Sequence, residues 1–333
     1  MPHPLPDLLR FDDGRPVAAP ADWEARRAEV ARHVVDLQYG RLPPMPAGVR
    51  IEILNRSGIR WLPSGVGFVT IRVVTEAPDY AFMLYLTIPA GDGPFPVVLC
   101  GDGCWRTMTE AVTREVVKRG YILAQFNRTE IVPDVAAAGK SIGLYRQVPD
   151  GEFGALAAWA WGYHRCVDAL AQIESADPAR IMVIGHSRGG KTTLLAGATD
   201  TRIAVTVANC SGCGGTGCYR YQGPDSETLG VIVRNFPHWF SPRLNAYIGR
   251  EQDLPFDQHF LKALVAPRAL LTCQALGDLW ANPSGTRITY EAARGLYRFL
   301  GAETRIAMRT RRGGHAHTIG DWRAALDFAT RQF

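Results

Sequence analysis

Hydrophobic and polar positions along the chain predict an alternation of strands and helices. Residues 21–39 place apolar side chains at helical spacing after a proline-rich lead, which predicts an amphipathic helix. Short apolar runs predict strands at residues 49–54, 65–75, 81–89, 97–100, 121–126, 180–184, 202–210, 267–275 and 304–310. Helical spacing predicts further helices at residues 110–120, 154–174, 284–301 and 320–333.

This order is typical of an α/β fold with a doubly wound, mostly parallel sheet. The first three predicted strands have no helix between them, so we expect antiparallel strands at the N-terminal edge of the sheet. No internal repeat or low-complexity linker divides the chain. We therefore predict one α/β domain over residues 1–333, in which residues 1–45 form an N-terminal extension with one helix.

Composition and charge limit the classes of function. The chain has 333 residues, of which 47% are hydrophobic and 21% charged, as in ordinary globular proteins. The net charge of +5 is mild and no stripe of Lys and Arg stands out, so we expect no nucleic-acid partner. No apolar run approaches the length of a membrane span, and the first residues do not resemble an export signal. As given, the sequence predicts a cytoplasmic protein, or a periplasmic or extracellular one if a signal was removed.

The segment VIGHSRGGK, residues 183–191, contains a serine between two glycines at the spacing G-x-S-x-G. It follows a strand pattern and precedes a helix pattern, and this context is typical of the nucleophile elbow of an α/β-hydrolase fold. The glycines fit because the turn brings the backbone close to the strand and leaves little room for a Cβ atom. Ser187 is therefore the candidate nucleophile.

A serine nucleophile needs a base and an acid that orients the base, and α/β-hydrolases supply them in the chain order serine, acid, histidine. Asp278 follows one predicted strand, and both His315 and His317 follow the next. Parallel strands end at the same edge of a sheet, so we expect these side chains to gather near Ser187. The residues predict a Ser-His-Asp hydrolase with two candidate bases.

Seven cysteines make an odd number, which does not suggest a disulfide framework in a chain of this length. Cys210, Cys213 and Cys218 crowd into NCSGCGGTGC. A structural zinc site uses four ligands, often as two spaced pairs, and no second pair stands nearby. We expect small residues packed beside a glycine-rich loop and no metal.

Seven segments of the chain point to a known family. They read GHSRGGK, NCSGCGG, FPHWF, LPFDQH, APRALL, GDLWANP and GGHAHTIGDW. They resemble the glucuronoyl esterases of carbohydrate esterase family 15, especially the bacterial branch, and looser likeness extends over most of the chain. The resemblance implies a serine α/β-hydrolase without a cofactor that cleaves esters of glucuronic acid, such as lignin–carbohydrate links. Its substrate would be a small-molecule or oligosaccharide uronic acid ester, and no membrane partner is implied.

The resemblance also assigns catalytic roles, residue by residue. Ser187 matches the family's nucleophile, and Arg188 matches the arginine that supports the oxyanion. His315 matches the base, because the family's histidine lies seven residues before a tryptophan, as His315 lies before Trp322. His317 remains the alternative.

Sugar contacts follow from the same resemblance. Lys191 matches the lysine that meets sugar hydroxyls, and Trp280 resembles the tryptophan that lines the sugar subsite. Glu227, in DSETLG, is a further candidate for contact with substrate.

One position departs from the family's pattern. Many members carry their acid in a Glu-Ser-Gly-x-Gly-Gly segment, and here that segment reads CSGCGG, so Cys210 stands where the glutamate would be. A thiol cannot replace a carboxylate in stabilising an imidazolium ion. Asp278 is therefore the expected acid, and a weaker or retuned enzyme is the alternative.

Structural explanations stand beside each functional one. Ser187 could be a turn serine of an inactive homologue, Arg188 a surface ion-pair partner and Lys191 a solvated residue of the first helical turn. Asp278 could be a turn residue, and Trp239 and Trp280 could be core aromatics. We expect four other histidines to be hydrogen-bonded within the fold: His164, His186, His238 and His259. Two other functions stay open: an acetyl-xylan or other carbohydrate acyl esterase, and a non-catalytic carbohydrate-binding relic.

Overall fold

A computed structural model of the protein describes residues 4–105 and 108–333. The strands are β1 (Gly48–Gly58), β2 (Gly67–Glu76), β3 (Tyr80–Ile88), β4 (Phe95–Cys100), β5 (Ile122–Phe126), β6 (Ala176–His186), β7 (Val205–Asn209), β8 (Ala269–Ala275) and β9 (Ile306–Arg311). The helices are α1 (Trp23–Ala31), α2 (Leu37–Tyr39), α3 (Glu110–Lys118), α4 (Leu144–Gln147), α5 (Ala155–Leu170), α6 (Arg188–Thr199), α7 (Leu229–Asn235), α8 (Gln258–Ala263), α9 (Pro283–Phe299) and α10 (Ile319–Gln332).

All nine strands belong to one sheet in the order β1-β2-β3-β5-β4-β6-β7-β8-β9. β1, β2 and β3 pair antiparallel, β3 pairs antiparallel with β5, and β4 to β9 run parallel. This confirms the predicted α/β-hydrolase fold with its antiparallel N-terminal edge. Because β6 to β9 are parallel neighbours, the residues that follow them meet at one edge of the sheet.

The inner parallel strands β4, β5, β7 and β8 are buried on both faces, as their nearly unbroken apolar sequences predict. In β4, Val97 and Leu99 pack into the cluster that contains Leu194 of α6. Val98, between them, points into the other cluster with Leu326 of α10. The two-residue period of a strand thus divides one apolar run between two helical layers.

The N-terminal helix predicted over residues 21–39 exists in three pieces. α1 is followed by a wider π-helical stretch, Arg32–Asp36, and then by the single turn α2. Apolar periodicity predicted the helical path but does not distinguish i→i+5 from i→i+4 hydrogen bonding. Gly40 ends the path at φ +76°, where a Cβ atom would come within 2.3 Å of the Glu152 carbonyl oxygen.

The division of the chain into one domain with an extension stays a prediction.

The segment between β7 and β8 contains α7 and α8, to which the sequence pattern assigned no element. Both helices have polar N-caps: Thr228 accepts from the backbone N–H of Val231, and Asp257 accepts from that of Gln258. With seven and six residues, the two helices are too short for apolar periodicity to reveal them.

In the described part of the chain, no helix has the length and apolarity that a bilayer crossing requires.

Candidate active site

Ser187 lies at the sharp turn between β6 and α6. Its backbone has φ +56° and ψ −119°, a conformation that side-chain-bearing residues rarely adopt. A Cβ atom on Gly185 would come within 2.5 Å of the Gly189 carbonyl oxygen, and one on Gly189 within 2.0 Å of Asp102. Only glycine therefore fits at Gly185 and Gly189, and the turn has the backbone geometry that the elbow motif predicts.

Asp278 and His315 form a hydrogen-bonded pair beyond the ends of β8 and β9. The Nδ1–H of His315 donates to Oδ2 of Asp278 at 2.7 Å. The aspartate side chain is buried, whereas the histidine side chain is 44% exposed. Ser187 and His315 line the same cleft. No hydrogen bond joins the Ser187 hydroxyl to His315 in the described residues, and such contacts often tighten only when substrate binds.

A column of aromatic rings supports His315 from behind. The ring of His186 lies 4.5 Å from that of His315, between centroids, and 5.6 Å from that of His317. His317 in turn stacks on Trp322 at 4.8 Å. Burial lowers the pKa of His317 to about 3, and neither of its ring nitrogens has a hydrogen-bond partner among the described residues. His317 therefore packs as a neutral ring beneath the cleft rather than opening into it.

Cys210 lies at the end of β7, on the same edge of the sheet. Its backbone N–H donates to the carbonyl of Cys273 at 2.8 Å, and its Sγ accepts from the N–H of Ala275 at 3.4 Å. Burial raises the pKa of the Cys210 thiol to about 12, so the group is neutral at physiological pH. A neutral thiol beside the cleft supplies no negative charge to an imidazolium ion.

Lys191 and Glu227 bring opposite charges to the wall of the cleft. The Nζ of Lys191 donates to the Ser211 carbonyl at 2.6 Å, and the side chain is buried rather than solvated. Burial lowers the pKa of Lys191 and raises that of Glu227. Both groups therefore lie where a polar ligand can replace their lost hydration.

Arg188 extends from the first position of α6 into a half-buried aromatic setting. Its Nη1 donates to Asp134. The guanidinium carbon lies 4.8 Å from the ring centroid of Trp239, 5.2 Å from that of Phe236 and 5.5 Å from that of Trp105. An ion pair does exist, as the structural explanation expected, but it lies at the cleft and not on the open surface.

The cleft has a volume of about 250 Å³. Its wall contains Ser187, Arg188, Lys191, Cys210, Ser211, Gly212, Glu227, Phe236, Trp239, Trp280, Ala281 and His315. Trp280 is 51% exposed at the cleft, whereas Trp239 is buried. The structure thus places Ser187, Arg188, Lys191, Glu227, Trp280 and His315 in one cleft, with the candidate acid Asp278 bonded to His315 behind it.

The four histidines that were expected to be structural have hydrogen-bond partners within the fold. His164 contacts the Ala196 carbonyl, His259 the Pro6 carbonyl and His238 the Asp134 carboxylate. His186 contacts the side chain of Asn209 through Nδ1.

All seven cysteines are unpaired thiols. Cys218 donates to Asp257 at 3.2 Å, within the loop that follows β7. Among residues 4–105 and 108–333, no three or more His, Cys, Asp or Glu side chains are grouped so that they could hold a metal ion.

Sequence reasoning missed two polar residues at the site, Asp134 and Asn209. Asn209 ends β7, so the rule that sites gather at strand ends points to it. Asp134 follows a short 3₁₀ turn, Arg128–Glu130, and no strand end or motif marks it. Its contact with Arg188 spans 54 residues of sequence and exists only in the folded chain.

The sheet topology and the elbow at its C-terminal edge define an α/β-hydrolase. A family model described as glucuronyl esterase of fungi matches residues 71–301. Carbohydrate esterase MZ0003, from an unknown prokaryotic organism, is 36% identical over 98% of this chain and 89% of its own length. The 4-O-methyl-glucuronoyl methylesterase 1 of Wolfiporia cocos is 31% identical over 89% of this chain and 72% of its own.

A solved structure is also similar to this chain over its whole length. The family 15 glucuronoyl esterase from Caldicellulosiruptor kristjansonii has a TM-score of 0.86 at 30% identity, and the match covers 100% of this chain and 91% of that one. The chain therefore belongs to the glucuronoyl esterases of carbohydrate esterase family 15, and it is a carboxylic ester hydrolase. The prokaryotic relatives agree with the bacterial branch.

Proposed function

We propose that the protein hydrolyses esters in which the carboxyl group of a glucuronic acid unit is the acyl part. The observation that carries the proposal is the Asp278–His315 pair, which lies beside an elbow serine in a cleft lined by Lys191 and Glu227. The methylesterase named above, 31% identical to this chain, supports the same substrate class.

In the proposed mechanism, the Ser187 oxygen attacks the ester carbonyl while Nε2 of His315 takes the hydroxyl proton. Asp278 accepts the Nδ1–H bond, which holds the productive tautomer and stabilises the imidazolium ion. The imidazolium then gives its proton to the departing alcohol. Water, activated by the same histidine, cleaves the acyl-enzyme and releases the uronate. Arg188, next to the nucleophile, stabilises the oxyanion that forms twice in this cycle.

Polar groups on the acyl side favour a sugar acid over acetate. Lys191 and Glu227 are buried in the wall of the cleft, and an acetyl group has no hydroxyl to accept the N–H groups of Lys191 that remain after its bond to the Ser211 carbonyl. Trp280 offers an exposed aromatic face on which the apolar side of a pyranose ring can pack.

The substrate is tested with esters that share one alcohol. Benzyl glucuronate and benzyl acetate differ only in the acyl part, so the ratio of their kcat/KM values reports the contacts on that side. We expect benzyl glucuronate to be preferred by about 100-fold, the scale of two hydrogen bonds to charged groups. Equal or faster cleavage of benzyl acetate would favour the acyl esterase alternative. No cleavage of either ester would favour a carbohydrate-binding relic.

Lys191→Ala is expected to raise KM for benzyl glucuronate by about 10- to 100-fold, the cost of losing one charged hydrogen bond. The same variant should hydrolyse p-nitrophenyl acetate normally, because acetate offers no sugar hydroxyl. Lys118→Ala, on the exposed face of α3, is the matched control and should change neither rate. If Lys191→Ala lowered kcat/KM equally for both esters, the lysine would have a structural or catalytic role instead.

Asp278→Asn is expected to lower kcat by about 10⁴, because an amide can favour the wrong histidine tautomer and cannot stabilise the imidazolium ion. Steady-state rates on benzyl glucuronate measure the loss. A near-normal rate would remove Asp278 from the triad.

Variants at Cys210 extend this test to the departure from the family's pattern. Cys210→Ala should be nearly silent, since the neutral thiol supplies no charge. Cys210→Glu in the Asp278→Asn background should restore part of the rate, because a carboxylate at the end of β7 lies on the same edge of the sheet as His315.

A further inference from the structure

Asp134 is a carboxylate that is only 12% exposed and has three side-chain donors. Its Oδ1 accepts from Nε2 of His238 at 3.0 Å and from the indole N–H of Trp239 at 2.7 Å. Its Oδ2 accepts from Nη1 of Arg188. Burial alone would raise the pKa of Asp134, but the hydrogen bonds from these three side chains lower it to about 2. The group is therefore an anion at neutral pH.

One donor to Oδ1 is itself held in place. Trp239 is buried and stacks on Phe236, with 3.8 Å between ring centroids and 5° between ring planes. Its indole N–H therefore holds the carboxylate from a fixed position beside the guanidinium.

The arginine is clamped between this anion and aromatic faces. Trp239 and Phe236 contact its guanidinium, and Asp134 engages one N–H group. Guanidinium has five N–H donors in a rigid plane, so a bond from one of them to Asp134 together with the aromatic contacts sets the directions of the rest. No other side-chain hydrogen bond of Arg188 exists among the described residues, so its remaining donors are available to the cleft that Ser187 lines.

We propose that Asp134 is the positioning residue for Arg188, which holds the guanidinium in its oxyanion-binding orientation before substrate arrives; this rests on the proposed function. A donor stabilises a developing oxyanion well only when it is already oriented, because no reorganisation is then needed during the reaction. A long arginine side chain on the first turn of a helix has many rotamers. The ion pair with Asp134 selects one of them.

A double-mutant cycle on p-nitrophenyl acetate tests the proposal. We expect Arg188→Ala to lower kcat by about 10²–10³, as for the loss of one oxyanion donor. Asp134→Asn should lower kcat by about 10- to 100-fold, the scale of a misplaced catalytic group, with little change in KM. In the Arg188→Ala background, Asp134→Asn should cause almost no further loss, because the group that it positions is gone.

Two controls separate positioning from folding. Asp134→Glu keeps the charge and should recover part of the rate lost in Asp134→Asn. Asp168→Asn removes another arginine-paired carboxylate, outside the cleft, and should leave kcat unchanged. The concentration of active sites is titrated with a fluorophosphonate, which reacts with the nucleophilic serine. Each rate is divided by that concentration, so that unfolded molecules are excluded.

Either of two results would overturn the proposal: an unchanged kcat in Asp134→Asn, or the same fold-loss in both backgrounds. Because every ester passes through an oxyanion, the cycle does not depend on the sugar. A wild-type enzyme that cleaves p-nitrophenyl acetate but no glucuronate ester would refute the proposed substrate alone. One that cleaves neither would refute both proposals.

Discussion

Ser187→Ala is expected to lower kcat by about 10⁶, the loss that follows removal of a triad nucleophile. In the proposed mechanism the hydroxyl oxygen forms the acyl bond, and neither Arg188 nor the His315–Asp278 pair can replace it. Rates on benzyl glucuronate, measured with purified protein, give the result. The fold should survive, since alanine at φ +56° carries no more steric strain than serine.

Ser141→Ala is the matched control, because Ser141 is exposed and far along the chain from the elbow. Thermal unfolding of the two variants should give similar midpoints. If purified Ser187→Ala retained more than a tenth of the wild-type rate, Ser187 would not be the nucleophile.

His315→Ala is expected to match the loss of the serine variant, about 10⁶ in kcat, because nucleophile and base act as one unit. His317→Phe should stay within about tenfold of wild type. Its ring lies between His186 and Trp322, and phenylalanine preserves that stacking without a titratable nitrogen.

The two histidine variants are compared by kcat on the same ester and by thermal unfolding. His317→Ala should lose stability more than rate, since it leaves a cavity beneath the cleft. Similar kcat losses at both positions, or a larger loss at His317, would reverse the assignment of the base.

Much of the fold followed from local patterns. The apolar runs of β4 to β9 and the helices between them predicted a parallel sheet covered on both faces, which the structure contains. Boundaries and short elements did not follow. The π-helical stretch Arg32–Asp36 and the helices α7 and α8 depend on packing around them, and their few residues carry too little periodic signal.

The sequence also predicted some features of the candidate site and not others. Ser187, Asp278 and His315 could be selected from one motif, the chain order of a hydrolase triad and a family resemblance. The choice between His315 and His317 from sequence rested on their spacing to Trp322. In the folded chain, the ring of His315 contacts Asp278, whereas the ring of His317 stacks on Trp322 with both nitrogens buried, a difference that spacing alone does not contain.

By itself, the sequence determined the main strands and helices, their order and the residues that follow each strand. This is because the hydrophobic period of a segment and its glycines act over a few neighbouring residues. That was enough to predict the elbow at Ser187. Only the tertiary structure decided that Asp134 meets Arg188, and that the ring of His315 rather than that of His317 meets Asp278. These contacts span 54 and 37 residues, and they depend on how strands and loops are placed together in space, which no local pattern along the chain encodes.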